Sequence, residues 1–261
     1  MFSSFKQKVM KAMSFLPVVV IALIFSFCTG TEAKKETAPI SDKGFAVVEL
    51  FTSEGCSSCP PADEAMIKLA KEFPEHVYFL GYHVDYWDYI GWKDQFDNPA
   101  FTKRQDRYAE IFRLESIYTP QAIINGESEL VGSKESQMRA LIQEKLKQTS
   151  SVGIELDVRR TDAEKLIVSY VAPASPNSSI NIALVQSRAS TTVKRGENNG
   201  KLLNHINIVR DFRSISIDKN GKGTAELVLP AGLGVKDLKL IAFIQNERDM
   251  KIIGAAEAAI Q

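Results

Sequence analysis

The chain has 261 residues, which is enough for one large domain or two of ordinary size. Hydrophobic residues make up 44% and charged residues 25% of the sequence, a composition typical of a globular protein with enough apolar material for a core. Because 32 basic residues balance 32 acidic ones and no basic stripe or arm is present, the sequence predicts no nucleic-acid partner.

Residues 1–28 have the pattern of a secretory signal peptide. Lys6, Lys8 and Lys11 precede an uncharged apolar run, FLPVVVIALIFSF, at residues 15–27. This run is shorter than the roughly 20 residues that a membrane-spanning helix needs. We therefore expect the chain to be exported, with an uncleaved anchor as the alternative.

Cys28 ends the apolar run and resembles the lipidated cysteine of bacterial lipoproteins. That pattern has a small residue before the cysteine, whereas this chain has Phe27, so cleavage after Ala33 is the alternative. The predicted location is periplasmic, or membrane-anchored by lipid at Cys28, with residues 29–44 as a polar tether. By either route the mature chain leaves the cytoplasm and enters a compartment where disulfides persist.

Residues 45–149 alternate predicted strands and helices. Pro99 fits the first turn of the second helix, Asn125-Gly126 is a strong hairpin signal, and Ser133 is the expected N-cap of the third helix. The order strand, helix, strand, helix, hairpin, helix predicts a layered α/β domain. The corresponding residues are 45–51, 62–73, 76–84, 98–112, 120–132 and 133–148.

Residues 150–261 have a different pattern, which is rich in predicted strands. Apolar or alternating segments of strand length are separated by Gly, Pro, Asn and Ser, and almost nothing is typical of a helix. This pattern predicts a small antiparallel sandwich. The segments cover residues 152–158, 165–171, 180–189, 205–217, 224–230 and 238–245.

Cys56 and Cys59 are the pair that remains in the mature domain, and they stand where a predicted strand meets a predicted helix. A helix N-terminus can lower a thiol pKa from about 8.5 to between roughly 3.5 and 7.5. Cys56 is then the exposed nucleophile, and Cys59 resolves the mixed disulfide. With Ser58 as N-cap, however, Pro60 and Pro61 remove two N–H donors, so we expect weaker activation of Cys56.

Two other chemistries are open to the cysteine pair. Zinc needs about four ligands, and beyond the two cysteines the chain offers only His76, His83 and His205, so no zinc site is predicted. A Cu(I) site of Cys56, Cys59 and His83 would make the chain a periplasmic copper-binding or metal-delivery module. A non-catalytic binding domain with an inert disulfide is the remaining alternative.

Thr119-Pro120 precedes a predicted strand and completes an order of motifs that resembles thioredoxin. The blocks VVELFTSEGCSSCPPAD, HVDYWDYIGWKD, FTKRQDRYA, YTPQAIING and KRGENNGKLLNHINIVR further resemble the secreted thioredoxin-like family called domain of unknown function 1223. The resemblance implies a thioredoxin-like domain followed by a β-rich, sandwich-like C-terminal domain. It also implies that Pro120 is a cis-proline facing the cysteines, and that Thr119 and Pro120 position the substrate.

An aromatic insert follows the second predicted strand, at the sheet edge where α/β proteins place ligands. His83, Asp85, Tyr86 and Trp87 are candidates for the wall of a groove beside Cys56. The alternative, which we favour for the tryptophans, is that the rings pack against the crossover. For His83 we favour a structural, hydrogen-bonded histidine.

Glu49 and the segment 194–201 are two further features of the predicted fold. Thioredoxins have a buried carboxylate that accepts a proton from the second cysteine, and Glu49 is the candidate here, with an outward-facing glutamate as the alternative. The segment 194–201, KRGENNGK, is polar and contains glycine, so it is interpreted as a turn.

The leading hypothesis is an exported thiol–disulfide oxidoreductase in which Cys56 attacks and Cys59 resolves. It requires no cofactor and no metal. Its expected partners are protein or small-molecule thiols, and membrane contact is expected only through lipid at Cys28.

Overall fold

The computed structural model describes residues 44–149, 152–161 and 164–260. The predicted signal peptide, the predicted lipid attachment at Cys28 and the predicted tether up to residue 43 lie outside these residues. In the described part of the chain, no helix is long and apolar enough to cross a membrane.

The first half of the described chain has the predicted alternation of strands and helices, which is thereby confirmed. Its elements are β1 (Ala46–Thr52), α1 (Pro60–Glu72), β2 (Val77–His83), α2 (Pro99–Phe112), β3 (Gln121–Ile124), β4 (Ser128–Val131) and α3 (Glu135–Leu146). A short 3-10 turn, Asp88–Ile90, lies between β2 and α2.

The second half consists of strands, as predicted. They are β5 (Glu155–Arg160), β6 (Lys165–Val171), β7 (Ser178–Thr192), β8 (Leu202–Ser216), β9 (Lys222–Val228), β10 (Leu238–Asn246) and β11 (Ile252–Ala259). Strand β11 was not predicted, because its sequence IIGAAEAA is dominated by Gly and Ala, which are not typical strand residues.

The strands form a large mixed sheet of eight strands and a small sheet of three, so the predicted α/β class is confirmed. The large sheet has the order β11-β10-β7-β8-β2-β1-β3-β4, and the small one the order β5-β6-β9. The predicted division near residue 149 separates strands that share the large sheet. The two sets meet where β2 runs parallel to β8, at the pair Gly81 and Ile208.

Strand β1 is buried along its whole length, and successive residues face opposite sides of the sheet. Val47 and Phe51 pack on the side of α2, whereas Val48 and Leu50 pack on the side of α1 and α3. Helices on both faces explain why apolar residues occur on both sides of this strand.

In the second half, the small sheet packs face to face on β7, β10 and β11, which gives the sandwich-like layering that the sequence predicted. The opposite face of β7 and β10 joins the cluster around α2, where Val185 and Phe243 pack.

Local signals in the sequence explain several of the element boundaries. The Asn98 side chain caps α2 by accepting a hydrogen bond from Ala100 N at 2.9 Å, and Pro99 follows at the first helical position. At the β3–β4 hairpin, Gly126 has φ +66°, and a Cβ there would lie 1.9 Å from the Met250 carbonyl oxygen. The expected N-cap of α3 was wrong: Lys134 occupies that position, and no side chain caps the helix.

Candidate functional site

Cys56 and Cys59 form a disulfide just after the carboxyl end of β1, with their Cα atoms 5.4 Å apart. A turn holds the loop, because Cys56 N donates to the Ser53 carbonyl oxygen at 3.2 Å. The Ser53 hydroxyl accepts a second hydrogen bond, from Gly55 N at 3.1 Å. The strand–disulfide–helix arrangement is therefore set by short-range contacts within one segment.

Helix α1 begins at Pro60 with Cys59 as its N-cap, one residue later than the predicted cap at Ser58. Pro60 and Pro61 have no N–H, and the amides of Ala62 and Asp63 both donate to the Cys59 carbonyl oxygen. The first turn therefore leaves no free amide to stabilise a thiolate at Cys56. This agrees with the weak activation that the two prolines predict.

Both cysteines are fully buried, each with 0% exposure, whereas Ser57 and Ser58 between them are exposed. The expectation that Cys56 is an exposed nucleophile was therefore wrong for the disulfide form. Residues of the second half of the chain pack on the loop that carries both cysteines. A substrate thiol can reach the sulfurs only after this loop or its neighbours move.

The loop between β7 and β8, residues 193–201, packs on the cysteine loop. Asn198, itself fully buried, donates its amide hydrogens to the carbonyl oxygens of Glu54 and Cys56, each at 2.9 Å. Glu197 Oε2 accepts a hydrogen bond from Ser57 N at 3.1 Å, and hydrogen bonding from Ser57 lowers the pKa of Glu197. This segment was predicted only as a turn, because its sequence shows its local shape and not its distant partner.

Three buried ionisable side chains come together next to the cysteines. His205 Nδ1 lies 3.3 Å from Asp63 Oδ2, and its Nε2 lies 3.6 Å from Glu54 Oε1. Burial acts to lower the pKa of His205, but the carboxylates of Asp63 and Glu54 outweigh it and raise the pKa to about 10. Trp92 Nε1 donates to Glu54 Oε2 at 2.8 Å. Sequence reasoning weighed His205 only as a zinc ligand and missed this cluster.

His83 is a structural histidine, as the favoured interpretation expected. Its Nδ1 lies 2.7 Å from Asp94 Oδ2, and both side chains are 1% exposed. Asp94 also accepts hydrogen bonds from the backbone amides of Glu54 and Phe96. Burial acts to raise the pKa of Asp94, but His83 and these amides outweigh it and lower the pKa. His83 therefore supports the cysteine loop through Asp94 and does not line a groove.

The remaining groove candidates separate into two groups. Trp87 lies at the cysteines: a Cβ on Gly55 would be 3.0 Å from the Trp87 Cβ, and Trp87 Nε1 donates to Thr119 Oγ1 at 2.7 Å. Asp85 instead accepts a hydrogen bond from Thr102 Oγ1 of α2, at 2.5 Å. Tyr86 and Trp87 both pack against the cluster around α2, and Trp87 in addition contacts the cysteine loop and Thr119.

Thr119 and Pro120 lie beside the cysteines, and the peptide bond between them is cis. Ser58 Oγ lies 3.3 Å from Cys56 Sγ and donates to the Thr119 carbonyl oxygen at 3.4 Å. The structure thus brings together Cys56, Cys59, Thr119, Pro120 and Trp87.

Glu49 is buried, but it is not available to the cysteines. Arg104 holds both of its carboxylate oxygens, at 2.6 and 2.8 Å, and the Tyr108 hydroxyl donates to one of them at 2.8 Å. Alternation along β1 places Glu49 on the α2 side of the sheet, opposite α1. The candidate proton acceptor for Cys59 and the outward-facing alternative were therefore both wrong.

Among the residues that the structure describes, no group of three or more His, Cys, Asp or Glu side chains is arranged to hold a metal ion. His83, the nitrogen ligand of the copper alternative, is paired with Asp94.

Comparison with known proteins identifies a family for this chain and solved structures with a similar fold. The family model "Protein of unknown function (DUF1223)" matches residues 47–245. A crystal structure of a protein from Agrobacterium tumefaciens is 26% identical with a TM-score of 0.61, over 85% of this chain and 97% of that one. HBP35 of Porphyromonas gingivalis is 18% identical with a TM-score of 0.54, over 84% of this chain and 76% of that one. No curated protein matches.

Proposed function

This chain belongs to the DUF1223 family of proteins of unknown function, and we propose that it is an exported thiol–disulfide oxidoreductase acting through Cys56 and Cys59. The observation that carries the proposal is the disulfide at the start of α1, directly after a buried strand and beside Thr119 and Pro120. The same arrangement supports a thioredoxin-like assignment for residues 45–149. The basic residues and the apolar run of residues 1–27 support export, with or without a lipid anchor at Cys28.

The reaction is a thiol–disulfide exchange. A substrate thiolate attacks Cys56 Sγ and forms a mixed disulfide, while the bond between the two cysteines breaks and Cys59 leaves as a thiolate that takes up a proton. A second substrate thiolate then attacks the substrate sulfur, and Cys56 leaves as a thiolate. The substrate dithiol loses two electrons and becomes a disulfide, and the cysteine pair gains them. The reverse sequence reduces a substrate disulfide.

Exchange in this chain requires movement, because both sulfurs are buried. We infer that the contacts of Asn198 and Glu197 with the cysteine loop open, and that Thr119 and Pro120 then hold the substrate segment alongside. The Glu197 carboxylate accepts a hydrogen bond from the Ser57 amide and places negative charge near Cys56. This disfavours a thiolate there and so favours the disulfide form.

A trapping experiment tests the proposal. In Cys59→Ser, the Cys56 thiol can attack oxidised glutathione, but no second cysteine can resolve the product. We expect this variant to accumulate a mixed disulfide that intact-protein mass spectrometry detects. Cys56→Ser is the matched control and is expected to accumulate far less. Equal accumulation in the two variants would contradict an attacking Cys56.

An inert disulfide in a binding domain is the second candidate, and the complete burial of both cysteines favours it. The reduction potential separates the two functions. A value below about −300 mV identifies a structural disulfide that the glutathione pool does not reduce, whereas the oxidoreductase requires a higher value.

A further inference from the structure

A second polar site lies away from the disulfide, in a cleft of about 410 Å³ between α2 and the strands of the second half. We call it the α2 cleft. Helix α2 contributes Lys103, Arg104 and Arg107, which share one helical face, and β7 and β10 contribute Asn181 and Gln245. Because α2 and α1 lie on opposite faces of β1, this cleft is separate from the cysteine site.

Arg104 forms the floor of the α2 cleft and is held rigidly. Its side chain is 9% exposed, and its Nε and Nη2 form a two-pronged pair with Glu49. Nη2 also donates to Gln245 Oε1 at 3.0 Å. The centre of the guanidinium group lies 5.2 to 5.7 Å from four aromatic rings, those of Tyr82, Tyr108, Phe212 and Phe243.

Several polar groups around the cleft lack a partner within the described structure. No described residue accepts a hydrogen bond from Arg104 Nη1, and Lys103 has no ion-pair partner among residues 44–149, 152–161 and 164–260. Asn181 is 1% exposed and donates to Gln245 Oε1 at 3.2 Å, yet its Oδ1 has no hydrogen-bond partner. Buried polar groups are normally satisfied, so the unpartnered Oδ1 of Asn181 indicates a ligand, and the exposed Lys103 stands beside it at the rim.

The charge of the cleft indicates an anion. Lys103, Arg104 and Arg107 give the cleft three positive charges, and Glu49 neutralises that of Arg104. Glu247 adds one negative charge at the rim, where its backbone carbonyl oxygen also accepts a hydrogen bond from Arg107. A buried ion pair adds little net stability compared with apolar residues of similar volume, so stability alone does not account for it. The planar guanidinium group is suited to binding oxyanions.

We propose that the α2 cleft binds a small molecule that carries an oxyanion, either a carboxylate or a phosphate group. The oxyanion accepts hydrogen bonds from Arg104 Nη1 at the floor and pairs with Lys103 at the rim. The free Oδ1 of Asn181 accepts a hydrogen bond from a hydroxyl or amino group next to the oxyanion.

Calorimetric titration of the mature chain with L-malate and with inorganic phosphate, at constant ionic strength, tests this proposal. We expect one of the two to bind, and the one that does identifies the oxyanion. The double variant Lys103→Ala/Arg107→Ala should weaken this binding at least about tenfold, because it removes the charge that pairs with the oxyanion and the neighbouring positive charge of Arg107. Arg104→Lys should abolish it, with circular dichroism and thermal melting to show that the variant is folded.

Lys219→Ala is the matched control, since Lys219 is exposed in the loop between β8 and β9, outside the cleft. It should bind as the unmodified chain does. The proposal is overturned if neither probe binds, or if the double variant and the control bind equally well. Binding is read without any redox activity, so either result is independent of the function proposed for the cysteines.

Discussion

Asn198 donates its side-chain amide to the backbone carbonyl of Cys56, although 142 positions separate the two residues. Its other amide hydrogen goes to the carbonyl of Glu54, and Asn198 and Cys56 are both fully buried. The second half of the chain therefore holds the cysteine loop in the form in which both cysteines are buried, which we call the closed form. Access to the disulfide depends on a contact that the cysteine motif itself does not contain.

Replacing Asn198 by Ala should make the disulfide easier to reduce. The variant leaves two buried carbonyl groups unpaired in the closed form, at a cost of about 1 to 3 kcal/mol for each group. If opening limits the reaction, the rate of reduction by excess dithiothreitol should rise about tenfold, which corresponds to about 1.4 kcal/mol. Asn204→Ala, at an exposed position in the same hairpin, is the control and should leave the rate unchanged. An unchanged rate in Asn198→Ala would show that this contact does not limit access.

His205→Gln should destabilise the fold in a pH-dependent way. The pKa of His205 is raised from 6.5 to about 10 in the folded chain, so its stabilising contribution is fully present below about pH 6.5 and is lost as pH rises towards 10. The variant leaves Glu54 and Asp63 without their buried cation, at a cost of about 3 kcal/mol at pH 6. Urea unfolding of both proteins at pH 6, 8 and 10 measures the difference between their free energies of unfolding. A difference that stays constant or grows with pH would contradict the ion pairs.

Glu49→Gln should lower stability without changing the chemistry of the cysteines. Arg104 would lose the charge that compensates it in a buried site, and breaking such a pair costs about 3 to 5 kcal/mol. Because Glu49 lies on the side of the sheet away from α1, the reduction potential of Cys56–Cys59 should not move. Denaturant unfolding and glutathione equilibration measure the two quantities separately. A shifted potential with unchanged stability would restore the proton-acceptor assignment that the geometry rejects.

Local sequence signals were sufficient for most of the elements. Asn98-Pro99 marks the start of α2, and Asn125-Gly126 marks the hairpin, because each signal acts through its own backbone within a few residues. Strand β11 lacks such a signal: it has few β-branched residues, and it forms through pairing with β10. The sequence also did not show that β8 pairs with β2, because sheet order depends on distant contacts.

The candidate site was predictable only in part, for the same physical reason. Cys56, Cys59, Thr119 and Pro120 come from motifs with characteristic neighbours in the chain. The contacts of His205 and Asn198 depend on where β8 and the loop before it lie in the folded sheet. The motif alone predicted an exposed Cys56, because it contains no information on the distant residues that pack on the cysteine loop.

The shared sheet has a practical consequence for truncated proteins. A fragment that ends at residue 149 keeps the two cysteines and the Thr119–Pro120 pair, yet it lacks Asn198, Glu197 and His205. It would also leave β2 as an unpaired edge, open to association with other chains. Such a fragment would contain the same cysteine motif in a different electrostatic and solvent environment. A reduction potential measured on this fragment would not apply to the same two cysteines in the whole chain. Reduction potentials of related proteins should therefore be compared on chains that retain β8.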